Sequence, residues 1–364
     1  MGHLEEWLTL YLTPGLGATG CKSLVDWFGS PGRVLKASRR ELSEVKGLRV
    51  KGLDGVSSPE TRQAAREELC RAMDLGLGII SLDDPEYPEW LRHIPSQPVL
   101  FYIKGSPAVL AEPGISIVGS RAASSYGLRM AETLAGQLAG QGITVISGLA
   151  QGIDSAAHRG ALKAGGQTIG VLGCGLDLVY PPENRALFEA IPEQGALISE
   201  YPLGTRPDGF RFPARNRIIS GLARGVVVVE ATLKSGSLIT AEFALEQGRE
   251  VFAVPGRADS IKSAGCHHLL QQGAKLVVSA TDIIGEFNPE HPAGKTGGKP
   301  APPGVAELSD QERSILAGLE IYPKSIDEVI NTCGLPVEQV NELLLLLEMK
   351  GYCEVLPGRQ YQLK

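Results

Sequence analysis

The segment Phe212-Pro213-Ala214-Arg215-Asn216-Arg217 places an aromatic ring beside guanidinium groups, and Arg206, Arg211, Arg215 and Arg217 fall within twelve residues opposed only by Asp208. Ring faces accept nucleobases and guanidiniums accept phosphates, so the pattern offers the chemistry of single-stranded nucleic-acid binding. Phe212 is expected to stack a base while Arg215 and Arg217 hold the flanking backbone. The competing reading is a surface helix whose arginines pair with carboxylates such as Glu200 or Glu230. A second set of residues points the same way. Gly119-Ser120-Arg121, Ser147-Gly148, Gly173-Cys174-Gly175 and Ser235-Gly236-Ser237 are small-residue turns of the kind that let backbone amides and hydroxyls approach an anion.

Several other chemistries lack their residues. The first of these turns reads G-S-R-A-A-S-S-Y-G, without G-x-G-x-x-G, and G-x-x-x-x-G-K-[ST] is also missing, which disfavours dinucleotide and P-loop nucleotide sites. Asp154 and His158 stand four residues apart, as an acid/base pair could, yet a helix-capping Asp followed by a packed His accounts for them equally well. The cysteines Cys21, Cys70, Cys174, Cys266, Cys333 and Cys353 include no C-x-x-C pair, so free thiols are expected, with no metal site and no cofactor.

The elements that must hold these turns read as strand then helix, repeated between residues 114 and 287. ISIVGS, TVISGLA, TIGVLG, ALISEY, VVVVEA and EVFAVPG are short apolar runs separated by helical segments. That alternation is the pattern of a parallel sheet covered on both faces, an α/β fold of the Rossmann-like, doubly wound kind. In such sheets ligands bind beyond the carboxyl ends of the strands, which is where the small-residue turns fall.

At 364 residues and 43% hydrophobic content the chain is long enough for two or three domains with real cores. No apolar run approaches the ~20 residues of a membrane span. The acidic start MGHLEEWLTLYL lacks a secretory leader's basic region, so a cytoplasmic protein is expected. The formal charge of -6 argues against nucleic acid as a whole-molecule partner, which makes the local arginine cluster the informative feature. Residues 288–305, rich in Pro and Gly, read as a linker. They separate a core domain over 76–287, its sheet within 100–287, from a small C-terminal domain over 306–364. A helical domain over 1–75 precedes the core.

The ordered series VGSR (118–121), SGLAQGID (147–154), AAHRGAL (156–162), YPPEN (180–184), SEYPLG (199–204), FPARNRIISGL (212–222), SGSLITAEFALEQGREVFAVPG (235–256) and QQGAKLV (271–277) resembles the DNA-processing protein A family, DprA or Smf. The resemblance covers essentially all of 100–287. It implies that single-stranded DNA is bound and protected, that RecA is loaded onto it during natural transformation, and that the chain forms a homodimer through the Rossmann domain without catalytic turnover. Carried over by position, the DNA pocket falls on Gly119, Ser120, Arg121, Ser147, Gly148, Phe212, Arg215, Asn216, Arg217, Ser235 and Gly236. Two departures are Cys266-His267-His268, where an asparagine is expected, and Pro182, where some relatives carry a basic residue. The same superfamily holds nucleotide hydrolases with a PGGxGTxxE signature. Here Glu242 takes the position of the acid, but the PGG and the second glycine are missing.

The flanks are also patterned. Pro14-Gly15-Leu16-Gly17 between two apolar segments resembles a helix-hairpin-helix, with a poorer second copy over Leu42 to Val50, and Ser58 and Pro59 suit the start of a closing helix. In the C-terminal domain Ser309-x-x-Glu312 and Ser325-x-x-Glu328 are capping boxes and Tyr352 to Leu363 a hairpin, a winged-helix pattern. Its third helix carries Glu338, Glu342 and Glu348 against Lys350 alone, which favours a protein-contact or regulatory role over the sequence-specific duplex binding of a transcriptional regulator, the remaining alternative.

Overall fold

The computed structural model describes residues 2–48, 53, 55, 56, 58–287, 308–320, 323–356, 358 and 360–363. The chain forms two compact units, Met1–Ala293 and Gly294–Lys364. The segment read as a linker lies outside the described residues, as do Arg49 and Val50 at the end of the second hairpin copy.

The first unit is built on β1 (Gly78–Ser81), β2 (Leu100–Gly105), β3 (Gly114–Val118), β4 (Val145–Ser147), β5 (Thr168–Leu172), β6 (Ala196–Ser199), β7 (Ala223–Val228), β8 (Glu250–Ala253) and β9 (Lys275–Leu276). They join in one sheet in the order β1-β2-β6-β5-β4-β3-β7-β8-β9. From β6 to β9 every pairing is parallel, whereas β2 pairs antiparallel with β6 and β1 with β2. The stretch with Pro85, Pro88, Pro95 and Pro98 thus carries a strand at either end, β1 and β2. Strands β3, β5 and β6 are buried throughout, because helices cover both faces. Ala131, Leu134, Ala156 and Ala157 pack with Ile115 and Val145 on one face; Ile218, Ile219, Ala241 and Ala244 pack with Val226 and Val228 on the other.

The order reverses at β3, which has β4 on one side and β7 on the other. There the loops after β3 and β7 cross at close range: Ser120 N donates to Glu230 O at 2.7 Å and Ile153 N to Ser120 O at 3.2 Å. Gly119 permits this, since a Cβ there would stand 2.6 Å from Ile153 Cγ1 and 2.9 Å from Glu230 O.

Residues 1–75, expected as a separate helical domain, belong to the same unit as the sheet. The reason is a shared core. Trp7, Leu8, Leu10 and Leu24 are in one apolar cluster with Leu100, Tyr102, Leu172 and Leu197. Burying Leu8 and Leu10 contributes about 1.5–3 kcal/mol each, enough to hold the helices to the sheet. Ser58 caps helix Pro59–Asp74 by accepting from Thr61 N at 3.1 Å, with Pro59 in the first turn, as the sequence predicts.

The second unit has helices Asp310–Gly318, Ile326–Cys333 and Val337–Met349, and three strands, β10 (Lys324–Ser325), β11 (Cys353–Leu356) and β12 (Gln360–Leu363), in the order β10-β12-β11. Both predicted capping boxes form, and Gly334 ends the second helix at φ 65°. This is a winged helix. Among the described residues no helix is long and apolar enough to cross a membrane, and no cluster of His, Cys, Asp or Glu could hold a metal ion.

Candidate nucleic-acid interface

A cleft of about 670 Å³ opens where β3 and β7 end, at the reversal of strand order. Eight of the eleven expected residues line it: Gly119, Ser120, Arg121, Phe212, Arg215, Asn216, Ser235 and Gly236. Two of the small-residue turns, Gly119-Ser120-Arg121 and Ser235-Gly236, therefore converge with helix Arg211–Gly221 on one hollow. Ser235 caps helix Gly236–Glu246, whose first turn and its positive dipole end face the cleft. Asn216 Nδ2 reaches the carbonyl of Gly236 at 3.3 Å, tying helix Arg211–Gly221 to that cap.

At the centre the Phe212 ring packs against Tyr180, centroids 5.5 Å apart and 22° from parallel, and the Arg121 guanidinium stands 5.3 Å from the same ring. Gly173 lies against Phe212, with no room for a Cβ. Arg121 is exposed and makes no ion pair among the described residues, so its charge is available to an anion. A smaller cavity of about 260 Å³ shares Arg121, Tyr180, Phe212 and Arg215 with the cleft and is floored by Gly173 and Cys174. Burial pushes the Cys174 thiol up to about 11.

The remaining arginines have other employment. Arg215 is buried: Nη1 donates to Gly148 O at 2.8 Å and to Val171 O, and Nε to Asn216 Oδ1 at 3.2 Å. Arg217 is turned away from the cleft and Nη2 grips both carboxylate oxygens of Glu200, at 2.7 and 2.8 Å. The expectation that Arg215 and Arg217 hold DNA backbone thus meets two guanidiniums already engaged by protein oxygens, Arg215 in the cleft lining and Arg217 outside it. The Glu200 pairing is the alternative that the sequence raised for this helix.

Two further expectations change for the same reason. Ser147 is fully buried and its Oγ donates to Ile117 O at 2.6 Å, so it serves the core. Gly148 borders the smaller cavity, but its N-H goes to Asp154 Oδ2 at 3.2 Å and its carbonyl to Arg215. A Cβ at 148 would lie 2.5 Å from Arg215 Nη2 and 2.7 Å from Asp154 Oδ2; the glycine makes room for the buried guanidinium and carboxyl to face each other. Burial pushes the Asp154 carboxyl up, against the pull of Arg215 and the amides of Ala150 and Gly148. Burial, with help from Arg215, pushes His158 down to about 3, and its Nδ1 meets Thr168 Oγ1 at 2.7 Å. Asp154 and His158 are thus engaged separately. Glu242 is exposed and does not line the cleft, and Cys266 is a core residue.

The sequence missed Tyr180, although YPPEN contains it, and Phe210, which is 67% exposed with Arg211 4.9 Å from its ring. It also missed what holds the wall Pro207-Asp208-Gly209. Buried Glu68, on helix Pro59–Asp74, accepts from Tyr102 Oη and Leu203 N, both at 2.7 Å. Asp177 accepts from Gly204 N at 2.8 Å and meets Arg71 at 3.4 Å. The N-terminal helices therefore fix the turn that leads into the cleft wall. Glu68→Ala strands a hydroxyl and an amide, and urea unfolding is expected to show a loss of about 1–3 kcal/mol; a midpoint equal to the parent's would mean the turn is held otherwise.

The fold and the site define a Rossmann-like protein with an open cleft at its strand-order reversal, lined by aromatic rings and the exposed Arg121. A family model for DNA recombination-mediator protein A matches residues 78–288, and one for the DprA winged helix domain matches 299–359. The chain belongs to the DNA recombination-mediator protein A family. It is 34% identical over 396 residues to Protein Smf of Synechocystis sp., covering 100% of each chain, and 49% identical over 207 residues to DNA processing protein DprA of Streptococcus pneumoniae, covering 57% of this chain and 73% of that one. The X-ray structure of that DNA processing protein A from Streptococcus pneumoniae matches with a TM-score of 0.66 and 38% identity, over 77% of this chain and 97% of the other. A structure addressing the single-stranded DNA binding mode of DNA processing protein A from Helicobacter pylori matches with a TM-score of 0.53 and 30% identity, over 58% and 96%.

Proposed function

We propose that the cleft binds and protects single-stranded DNA, and that the chain, acting in the cytoplasm as a homodimer through its Rossmann domain and without catalytic turnover, loads RecA onto that strand during natural transformation and homologous recombination. The observation that carries the reading is the pile of Tyr180, Phe212 and Arg121 at the centre of the cleft, beside the capped helix end at Ser235 and Gly236. Phosphate meets Arg121 and the helix end, and bases meet the aromatic group, a combination that accepts any sequence. The Helicobacter pylori relative supports the choice of single strands. Glu242, exposed and outside the cleft, speaks against a nucleotide hydrolase.

Fluorescence anisotropy with labelled poly-dT and duplex oligonucleotides across salt tests the reading; tighter binding to duplex would sink it. Because Phe212 supports both Tyr180 and Arg121, Phe212→Ala is expected to weaken single-strand binding by about 1–3 kcal/mol. If Phe212 only packs, the variant melts lower but its folded fraction binds as before. RecA assembly on the bound strand, followed by light scattering, and sedimentation of the free protein test the loading and the homodimer.

A further inference from the structure

The third helix of the winged helix, Val337–Met349, turns Val340, Leu344 and Leu347 into the unit's core. Glu338, Glu342, Leu345 and Met349, spaced four, three and four apart, fall on the opposite face. That face is apolar where a DNA reader would be polar: Leu345 is 58% and Met349 79% exposed, and Leu346 is exposed as well. Glu338 and Glu342 extend it toward the helix start and make no ion pair among the described residues. The unit's described cations are already engaged: Arg313 with Asp310 at 3.8 Å, Lys324 with Glu320 at 2.8 Å, and Lys350 with Glu312 at 2.6 Å. The surface therefore joins exposed leucine and methionine to carboxylates that make no ion pair among the described residues.

We infer that this face docks a cationic, amphipathic protein segment, whose apolar residues cover Leu345, Leu346 and Met349 while its lysines or arginines meet Glu338 and Glu342. Apolar anchors supply the affinity and the carboxylates choose the sign of the partner. A phosphate backbone meets repulsion here, and a second copy of this face brings the same two carboxylates to the contact. The winged helix thus keeps the shape of a DNA reader and presents the chemistry of a protein receptor.

The test uses the full chain and a labelled designed helix with leucines along one face and lysines at its borders. One control peptide replaces the lysines with glutamates, another the leucines with serines. The lysine-bordered helix is expected to bind at least tenfold more tightly than either control. Leu345→Ser with Met349→Ser, and separately Glu338→Lys with Glu342→Lys, should each remove that difference while the melting temperature stays put, because all four side chains are exposed. Equal binding by the variants overturns the inference. So does duplex binding that the serine variant loses, which would make the face a DNA reader, or a self-association that the same variant abolishes, which would make the occupant a second copy.

Discussion

Arg121→Glu should weaken single-strand binding on the order of 100-fold, about 2.7 kcal/mol, while leaving the fold intact. The size follows from two terms acting together. A charge-assisted contact to phosphate, about 1.5–3 kcal/mol, is lost, and an anion is placed where the strand's own charge must pass. Stability is spared because Arg121 is exposed and gives up only its contact with the Phe212 ring, about 0.5–1 kcal/mol at such a site. The slope of log K against log salt should also fall by about 0.7 for the one lost phosphate contact, so Arg121→Ala should show the smaller slope with a milder loss. Anisotropy titrations at several salt concentrations, alongside a melting curve, check all of this. A folded Arg121→Glu variant that binds poly-dT as the parent does would place the pocket elsewhere.

The contrast among the arginines marks the limit of reading this chain from its sequence. The strand-helix alternation, the small-residue turns and the capping residues Ser58, Ser309 and Ser325 were legible because each depends on local spacing alone. Arg121, Arg215 and Arg217 are the same residue type in motifs of equal prominence. Their fates diverge through tertiary placement: one stands in solvent, one is threaded beneath the β5 carbonyl of Val171, and one is drawn to Glu200. A glycine-serine turn is equally silent about direction. Ser120 faces the cleft, whereas Ser147 points into the sheet toward Ile117. The first helices could be recognised as amphipathic, but the partner of Trp7 and Leu8 is a sheet whose strands come roughly a hundred and more residues later, at Leu100, Leu172 and Leu197. Tyr180 is missed for a similar reason, since its stacking on Phe212 joins a loop to the first turn of helix Arg211–Gly221, which only the fold brings together.

Arg215→Met should be the most destabilising single change at the site, and its cost should depend on pH. Methionine fills much of the same space, so the loss is chiefly polar. The carbonyls of Gly148 and Val171 each forfeit a charged donor, and Asp154 is left buried without its neighbouring cation. Leaving two buried carbonyls without their donor costs about 1–3 kcal/mol each, and the loss of the cation near buried Asp154 adds to it. Burial brings the Arg215 guanidinium itself down to about 10, which still leaves it charged at neutral pH. Burial already holds the Asp154 carboxyl above its unfolded value, with Arg215 the first of the opposing influences, so the variant's carboxyl should rise further. A carboxyl that binds its proton more tightly when folded destabilises the native state increasingly as pH climbs through its folded pKa, and ceases to do so below the unfolded value near 4. The deficit relative to the parent should therefore be greatest at neutral pH and shrink on acidification, which urea unfolding of both proteins at several pH values between about 5 and 8 would reveal. Adding Asp154→Asn should recover part of the loss at pH 7, because the buried charge is then gone. A variant as stable as the parent, or a deficit constant with pH and unrelieved by Asp154→Asn, would show that Arg215 is not the cation that keeps Asp154 buried, and would return it to the residues available for DNA.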